Sequence, residues 1–170
     1  ENTLSWCDMS QQVLPILLEF KDILAGNGNL FLNMENAGGM NFWGVFLFFI
    51  SSPFSFLVAF VPKQDMMVFM YILVVLKMMV CALTACLFFR KRFPNLGEVL
   101  TAVLGVMYAF CGYTMMFYQN LVWLDMMYLF PLLLLGVERM VAQRRPLLYC
   151  LVLCAVVTVN FYLSYMVVLF

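Results

Sequence analysis

The chain has no histidine among its 170 residues. Zinc sites, Ser/His/Asp triads and histidine proton shuttles are thereby excluded, and acid or base chemistry falls to carboxylates, lysine or tyrosine. Charge is scarce as well: Asp, Glu, Lys and Arg fill 11% of positions, and nine basic residues balance nine acidic ones. Nucleic-acid binding therefore has no electrostatic footprint. The six cysteines form no disulfide framework, because Cys81, Cys86, Cys111, Cys150 and Cys154 lie inside apolar runs and only Cys7 stands in polar sequence. There is no CxxC zinc pattern. Internal repeats, heptads, low-complexity tracts and strand alternation are missing too.

What is abundant is apolar and aromatic surface, at 66% and 17% of residues. Such a chain is an integral membrane protein, all-α and multi-spanning. It opens at Glu1 in polar sequence and stops at Phe170 inside an apolar run, so it reads as an internal stretch of a larger protein. Four segments are predicted to span the bilayer: 66–89, 99–118, 121–141 and 147–170. Arg90, Lys91 and Arg92 follow the first, and Arg139, Arg144 and Arg145 lie between the third and fourth. The excess of positive charge places the loops 90–98 and 142–146 in the cytoplasm and residues 1–65 outside it.

Residues 42–62 are long enough to cross, but a crossing would put the acidic amino-terminal region, with Glu1, Asp8, Glu19, Asp22 and Glu35 against Lys21 alone, in the cytoplasm. Ser51, Ser52 and Pro53 sit at the centre of this stretch, and proline removes a backbone donor and clashes with the preceding turn. We therefore expect a broken interfacial helix over 42–62, the one break in the chain. Residues 9–25 read as an amphipathic helix with Val13, Leu17, Phe20 and Leu24 on one face and Gln12, Glu19 and Asp22 on another. Between them, Ala25 to Asn41 is a loop containing Gly26, Gly28, Gly38 and Gly39. The bundle proper is 66–170. Trp6, Trp43 and Trp123 fall near the outer boundaries and read as interfacial anchors.

Lys77 stands alone in the 24-residue apolar run Met66 to Phe89, with eleven uncharged residues before it and twelve after. At ~1.5 Å rise per residue it lies roughly 16 Å from either end, beyond the reach of a lysine stem. A cation at that depth costs about 2.5–3.5 kcal/mol, so it faces a polar interior, either as a ligand contact or in an interhelical ion pair or hydrogen bond such as one to Asn160. Cys81 and Thr84 share its face. Two readings are open for Asp8: a general base at the membrane surface, or a helix cap paired with Gln11 in a capping-box pattern. Asp125, about one turn into its helix, is either a partner of the helix dipole or a second acidic group at the Asp8 site. Asn160 and Ser164, flanked by Tyr162 and Tyr165, form a polar patch suited to interhelical hydrogen bonding. Gly105, Tyr108 and Gly112 read as a packing notch.

Several stretches in this order resemble the bacterial YfhO membrane-protein family, a branch of the GT-C glycosyltransferase superfamily. They are Asp8-Met9-Ser10-Gln11-Gln12; Ser51-Ser52-Pro53-Phe54; Leu76-Lys77 with Ala82-Leu83-Thr84; Met107 to Tyr113; Asp125 ahead of Pro131 to Gly136; and Asn160-Phe161-Tyr162 with Tyr165. The resemblance covers the whole chain, with Cys111 where the family often has serine. It implies a GT-C-like enzyme of the bacterial plasma membrane whose first extracytoplasmic loop holds a catalytic aspartate, here Asp8. The expected donor is a polyprenyl-phosphate-linked sugar and the acceptor a cell-envelope polymer or lipid, joined in an inverting transfer. Gln11, Gln12, Lys77, Asp125, Asn160 and Tyr162 are the expected substrate-binding residues. No metal ligands are assigned; the acidic loop is compatible with a divalent cation, but no ligand spacing demands one. The rival expectation is a transporter or lipid flippase with a polar path past Lys77, Asn160 and the break at Pro53. If Lys77 is at mid-depth, it lies too far from Asp8 for both to touch one reacting centre.

Overall fold

The computed structural model describes residues 8–32, 34 and 39–169. Glu1, Trp6, Cys7, Glu35 and Gly38 lie outside the described residues. The chain is all-α, and among the described residues three helical stretches are long and apolar enough to cross a membrane, Lys63–Arg92, Glu98–Phe117 and Leu121–Gln143, or four if the bent pair Phe42–Ile50 and Pro53–Phe60 is one span.

Helix α3 (Met66–Arg92) has no glycine or proline to interrupt it. Its inward stripe is Met66, Phe69, Met70, Leu73, Lys77, Cys81, Thr84 and Ala85, at intervals of three and four residues. The opposite face, with Val68, Ile72, Val75, Met79, Leu83 and Leu87, is exposed yet equally apolar. A helix that is apolar all round belongs in lipid. Helix α4 (Glu98–Ala109) packs along α3, and Gly105 lets the backbones touch: a Cβ there would run into Cys86 Sγ and stand 2.9 Å from the Ala82 carbonyl. Gly112 faces open space, so the expected notch does not extend to it. The stretch predicted as 99–118 is interrupted at Phe110 and Cys111 before α5 (Gly112–Phe117) resumes.

Helix α6 (Leu121–Gln143) is the most buried of the three long helices and packs between α3 and α7 (Leu147–Val159). Pro131 lies inside it. Proline has no N–H for the carbonyl four residues back, which is Met127, and the Tyr108 hydroxyl from α4 donates to that carbonyl at 2.9 Å. Gly136 brings α7 close, since a Cβ there would meet the Tyr149 Cα at 2.8 Å. The connection to α7 turns at Arg144, whose φ of 54° is left-handed.

The single span expected over 147–170 is instead α7 followed by α8 (Phe161–Leu169), separated at Asn160. Asn160 takes extended backbone (φ −155°, ψ 103°), and its Oδ1 accepts from Leu163 N at 2.8 Å, restarting the helix as a side-chain cap does. This break joins those at Pro53 and at Phe110 and Cys111.

The amino-terminal part rests on the ends of α3 and α6. A π-helical turn, Met9–Val13, leads into α1 (Leu14–Leu24), and the buried face is Met9, Val13, Ile16, Leu17 and Phe20. Leu24, expected on that face, is 42% exposed because the helix stops there. Helix α2 (Phe42–Val45) runs into a π-helical segment, Phe46–Ile50, and then bends by 106° into the 3-10 helix Pro53–Phe60. Lys21 Nζ donates to the Val58 and Ala59 carbonyls, each at 3.3 Å, satisfying the end of that 3-10 helix. Lys63 holds Asp22 at 2.6 Å. The two basic turns share one end of the bundle, where Lys91 lines a pocket with Glu138, Arg139 and Gln143.

Candidate functional site

Helical side chains lean towards the amino terminus, so Lys77 projects towards the Met66 end of α3 and meets the first turns of the antiparallel α6. Its Nζ lies 2.8 Å from Asp125 Oδ1 and donates to Asp125 Oδ2 at 2.9 Å and to the Leu121 carbonyl at 2.8 Å. The Phe54 ring covers the ammonium, its centroid 5.6 Å away. The Ser52 and Tyr128 hydroxyls adjoin the same carboxylate. Lys77 is 1% exposed and Asp125 0%. The lone cation thus forms an interhelical ion pair, with Asp125 rather than Asn160 as its partner. A pair so completely desolvated is held by geometry: Asp125 Oδ2 and the Leu121 carbonyl accept from the ammonium, while Oδ1 lies against it as an ion-pair contact without a hydrogen bond.

A pocket of about 160 Å3 opens against the same end of α6. Asp8, Gln12 and Val13 form one side; Phe48 and Phe49 of the broken segment and Asn120, Val122 and Trp123 at the start of α6 form the rest. Gln12 Nε2 donates to Asp8 Oδ1 at 3.4 Å. The capping-box expectation is corrected here. Asp8 is itself in helical conformation (φ −68°, ψ −32°) and its side chain makes no cap hydrogen bond, so its carboxylate turns to Gln12 and the pocket. Trp123, expected as an anchor, lines this pocket and packs on Phe117 with ring centroids 5.1 Å apart.

The distance between Lys77 and Asp8 is bridged by α6. Asn120 and Val122, which line the pocket, flank Leu121, whose carbonyl takes the Lys77 ammonium. The ion pair is thus one residue removed from the wall that faces Asp8. Asn160, 1% exposed, connects from another side: its Nδ2 donates to the Phe48 carbonyl at 3.4 Å, while Ser51 Oγ donates to the Val159 carbonyl. The two helix breaks satisfy each other's free carbonyls.

The structure thus brings Asp8 and Gln12 together at the pocket, places Lys77 and Asp125 beneath its wall, and ties Asn160 to its Phe48 side. Gln11 is exposed and is not among the lining residues, nor is Tyr162, which is 51% exposed on α8. Asn120, Phe48 and Phe49 were not singled out in the sequence. Only Asn120 carried a signal, as a polar residue immediately before an apolar helix. Among the described residues no group of three or more His, Cys, Asp and Glu side chains could hold a metal ion.

The family described as bacterial membrane protein YfhO matches residues 1–170. No curated protein and no solved structure matches the chain. A membrane bundle with these stretches in this order, matched from end to end, belongs to the bacterial YfhO membrane-protein family.

Proposed function

We propose that this chain holds the acceptor-activating site of an inverting membrane glycosyltransferase that uses a polyprenyl-phosphate-linked sugar. The observation that carries the reading is the pocket in which a partly buried carboxylate, Asp8, faces the amino end of a 23-residue helix, α6. The Asp8 carboxylate takes the proton of an acceptor hydroxyl as that oxygen attacks the anomeric carbon. The bond from the anomeric carbon to the phosphate oxygen breaks, and the lipid phosphate leaves with the electron pair. Positive potential at the start of α6 favours a phosphate on that side. Gln12 holds the base, and Trp123, Phe48 and Phe49 offer apolar walls to a sugar ring. In this reading residues 1–65 are extracytoplasmic and the two basic turns are cytoplasmic.

The test uses the full-length parent protein in membranes with a polyprenyl-linked sugar donor. Asp8→Asn keeps the shape and removes the base, so sugar transfer falls by about 100-fold or more while expression and donor binding persist. Unchanged transfer removes Asp8 from the mechanism. One observation favours a second reading, a lipid flippase: the breaks at Pro53 and Asn160 are paired and in contact, as in proteins that move substrate past discontinuous helices. Lipid translocation in vesicles, unaffected by Asp8→Asn and lost in Asn160→Ala, is the result that selects it.

A further inference from the structure

The Asp8 pocket leaves the opposite end of the bundle unused, and there α3 and α4 open a groove of about 610 Å3. Its apolar wall includes Leu83, Leu87 and Leu96, and its rim carries Arg90 and Glu98. Leu83 is 63% and Leu87 49% exposed, so this wall continues the face that α3 turns outward among other apolar side chains. Arg90 sits in the last turn of α3 and Glu98 in the first turn of α4, each where the helix dipole favours its charge. Both are exposed, and among the described residues no salt bridge joins them. One cation and one anion therefore stand apart on the rim of a single apolar trough.

We propose that this groove binds a zwitterionic aminophospholipid of the phosphatidylethanolamine type. An acyl chain lies along Leu83 and Leu87, the phosphate meets the Arg90 guanidinium, and the primary ammonium donates to the Glu98 carboxylate. The complementarity is specific. A choline headgroup has the same charges but no N–H to donate, and a glycerol headgroup leaves Glu98 without a cation beside a second negative charge. Lys91 and Arg92 add positive potential nearby, which by itself draws anionic lipid, so the preference between headgroups is what tests the groove.

The experiment is native mass spectrometry of the full chain released from detergent, with equimolar phosphatidylethanolamine, phosphatidylcholine and phosphatidylglycerol of matched acyl chains. The ethanolamine lipid is retained about threefold or more over either competitor, the scale of one exposed charge-assisted contact. Glu98→Gln brings its retention down to that of the choline lipid, and Arg90→Gln lowers all three. Leu87→Trp fills the trough without changing charge and lowers ethanolamine lipid retention as well. Both rim residues are exposed, so these variants keep the helical circular dichroism of the parent. Preferential retention of phosphatidylglycerol, or an ethanolamine preference that survives Glu98→Gln, overturns the proposal.

Discussion

The Lys77 ammonium has three oxygens around it, Asp125 Oδ1 and Oδ2 and the Leu121 carbonyl, all within 2.9 Å. A phosphate from outside would have to displace one of them or share the charge through the wall of α6. The pair is therefore first a structural contact, and its energetics are lopsided. Lys77→Met leaves a carboxylate buried with no cation and is expected to cost about 3–5 kcal/mol, read as a lowered unfolding temperature in detergent. Removing both charges together, Lys77→Met with Asp125→Leu, leaves no orphan and is expected to regain most of that loss. A loss in the double variant equal to the sum of the two single-variant losses would mean that the two residues are not coupled. The double variant also isolates the ligand question, because it folds without the ammonium. If Lys77 contributes to phosphate binding, donor affinity falls in the double variant; if it serves only to hold the first turn of α6, affinity stays.

At the scale of elements, the helix irregularities at Pro53, Pro131 and Asn160 each have a partner that satisfies them. Pro131 frees the Met127 carbonyl and Tyr108 covers it from α4. Tyr108→Phe is then expected to cost about 0.5–2 kcal/mol in an unfolding measurement. In a Pro131→Ala background the N–H returns, and the same substitution is expected to cost almost nothing. These interruptions also mark what the sequence makes legible. The break at Pro53 is readable because proline breaks a helix from its own chemistry. The break at Asn160 is not, since no proline or glycine lies there and a lone asparagine is tolerated in a span. Its extended backbone is stabilised by its own cap and by Ser51, which donates to the neighbouring Val159 carbonyl, 108 residues away along the chain. Likewise, a solitary lysine in an apolar run announces that it is compensated, but the choice of Asp125, 48 residues distant, is decided by the register of α3 against α6. Asp8 was open to misreading as a cap because the capping-box pattern presumes a helix that starts after it, whereas here the helical conformation already includes it.

Across the whole molecule, charge divides by end. Arg90, Lys91 and Arg92 share an end with Arg139, Arg144 and Arg145, as the pocket joining Lys91 to Arg139 requires. At the other end lie Asp8, Glu19, Asp22 and Asp65, and the two lysines there are already engaged, Lys21 with the Val58 and Ala59 carbonyls and Lys63 with Asp22. In the proposed orientation the arginine turns lie in the cytoplasm. In a background without native cysteines, Glu19→Cys is then expected to react with a membrane-impermeant maleimide on intact cells. Gln143→Cys is expected to react only after lysis. Both positions bear on the chemistry as well as the orientation, because Asp8 stands on the Glu19 side and can meet only acceptors present there. The reverse labelling pattern would place that carboxylate in the cytosol, away from envelope polymers, and the glycosyltransferase reading would fall with the topology, whereas a path for lipid between the paired breaks would remain open from either side.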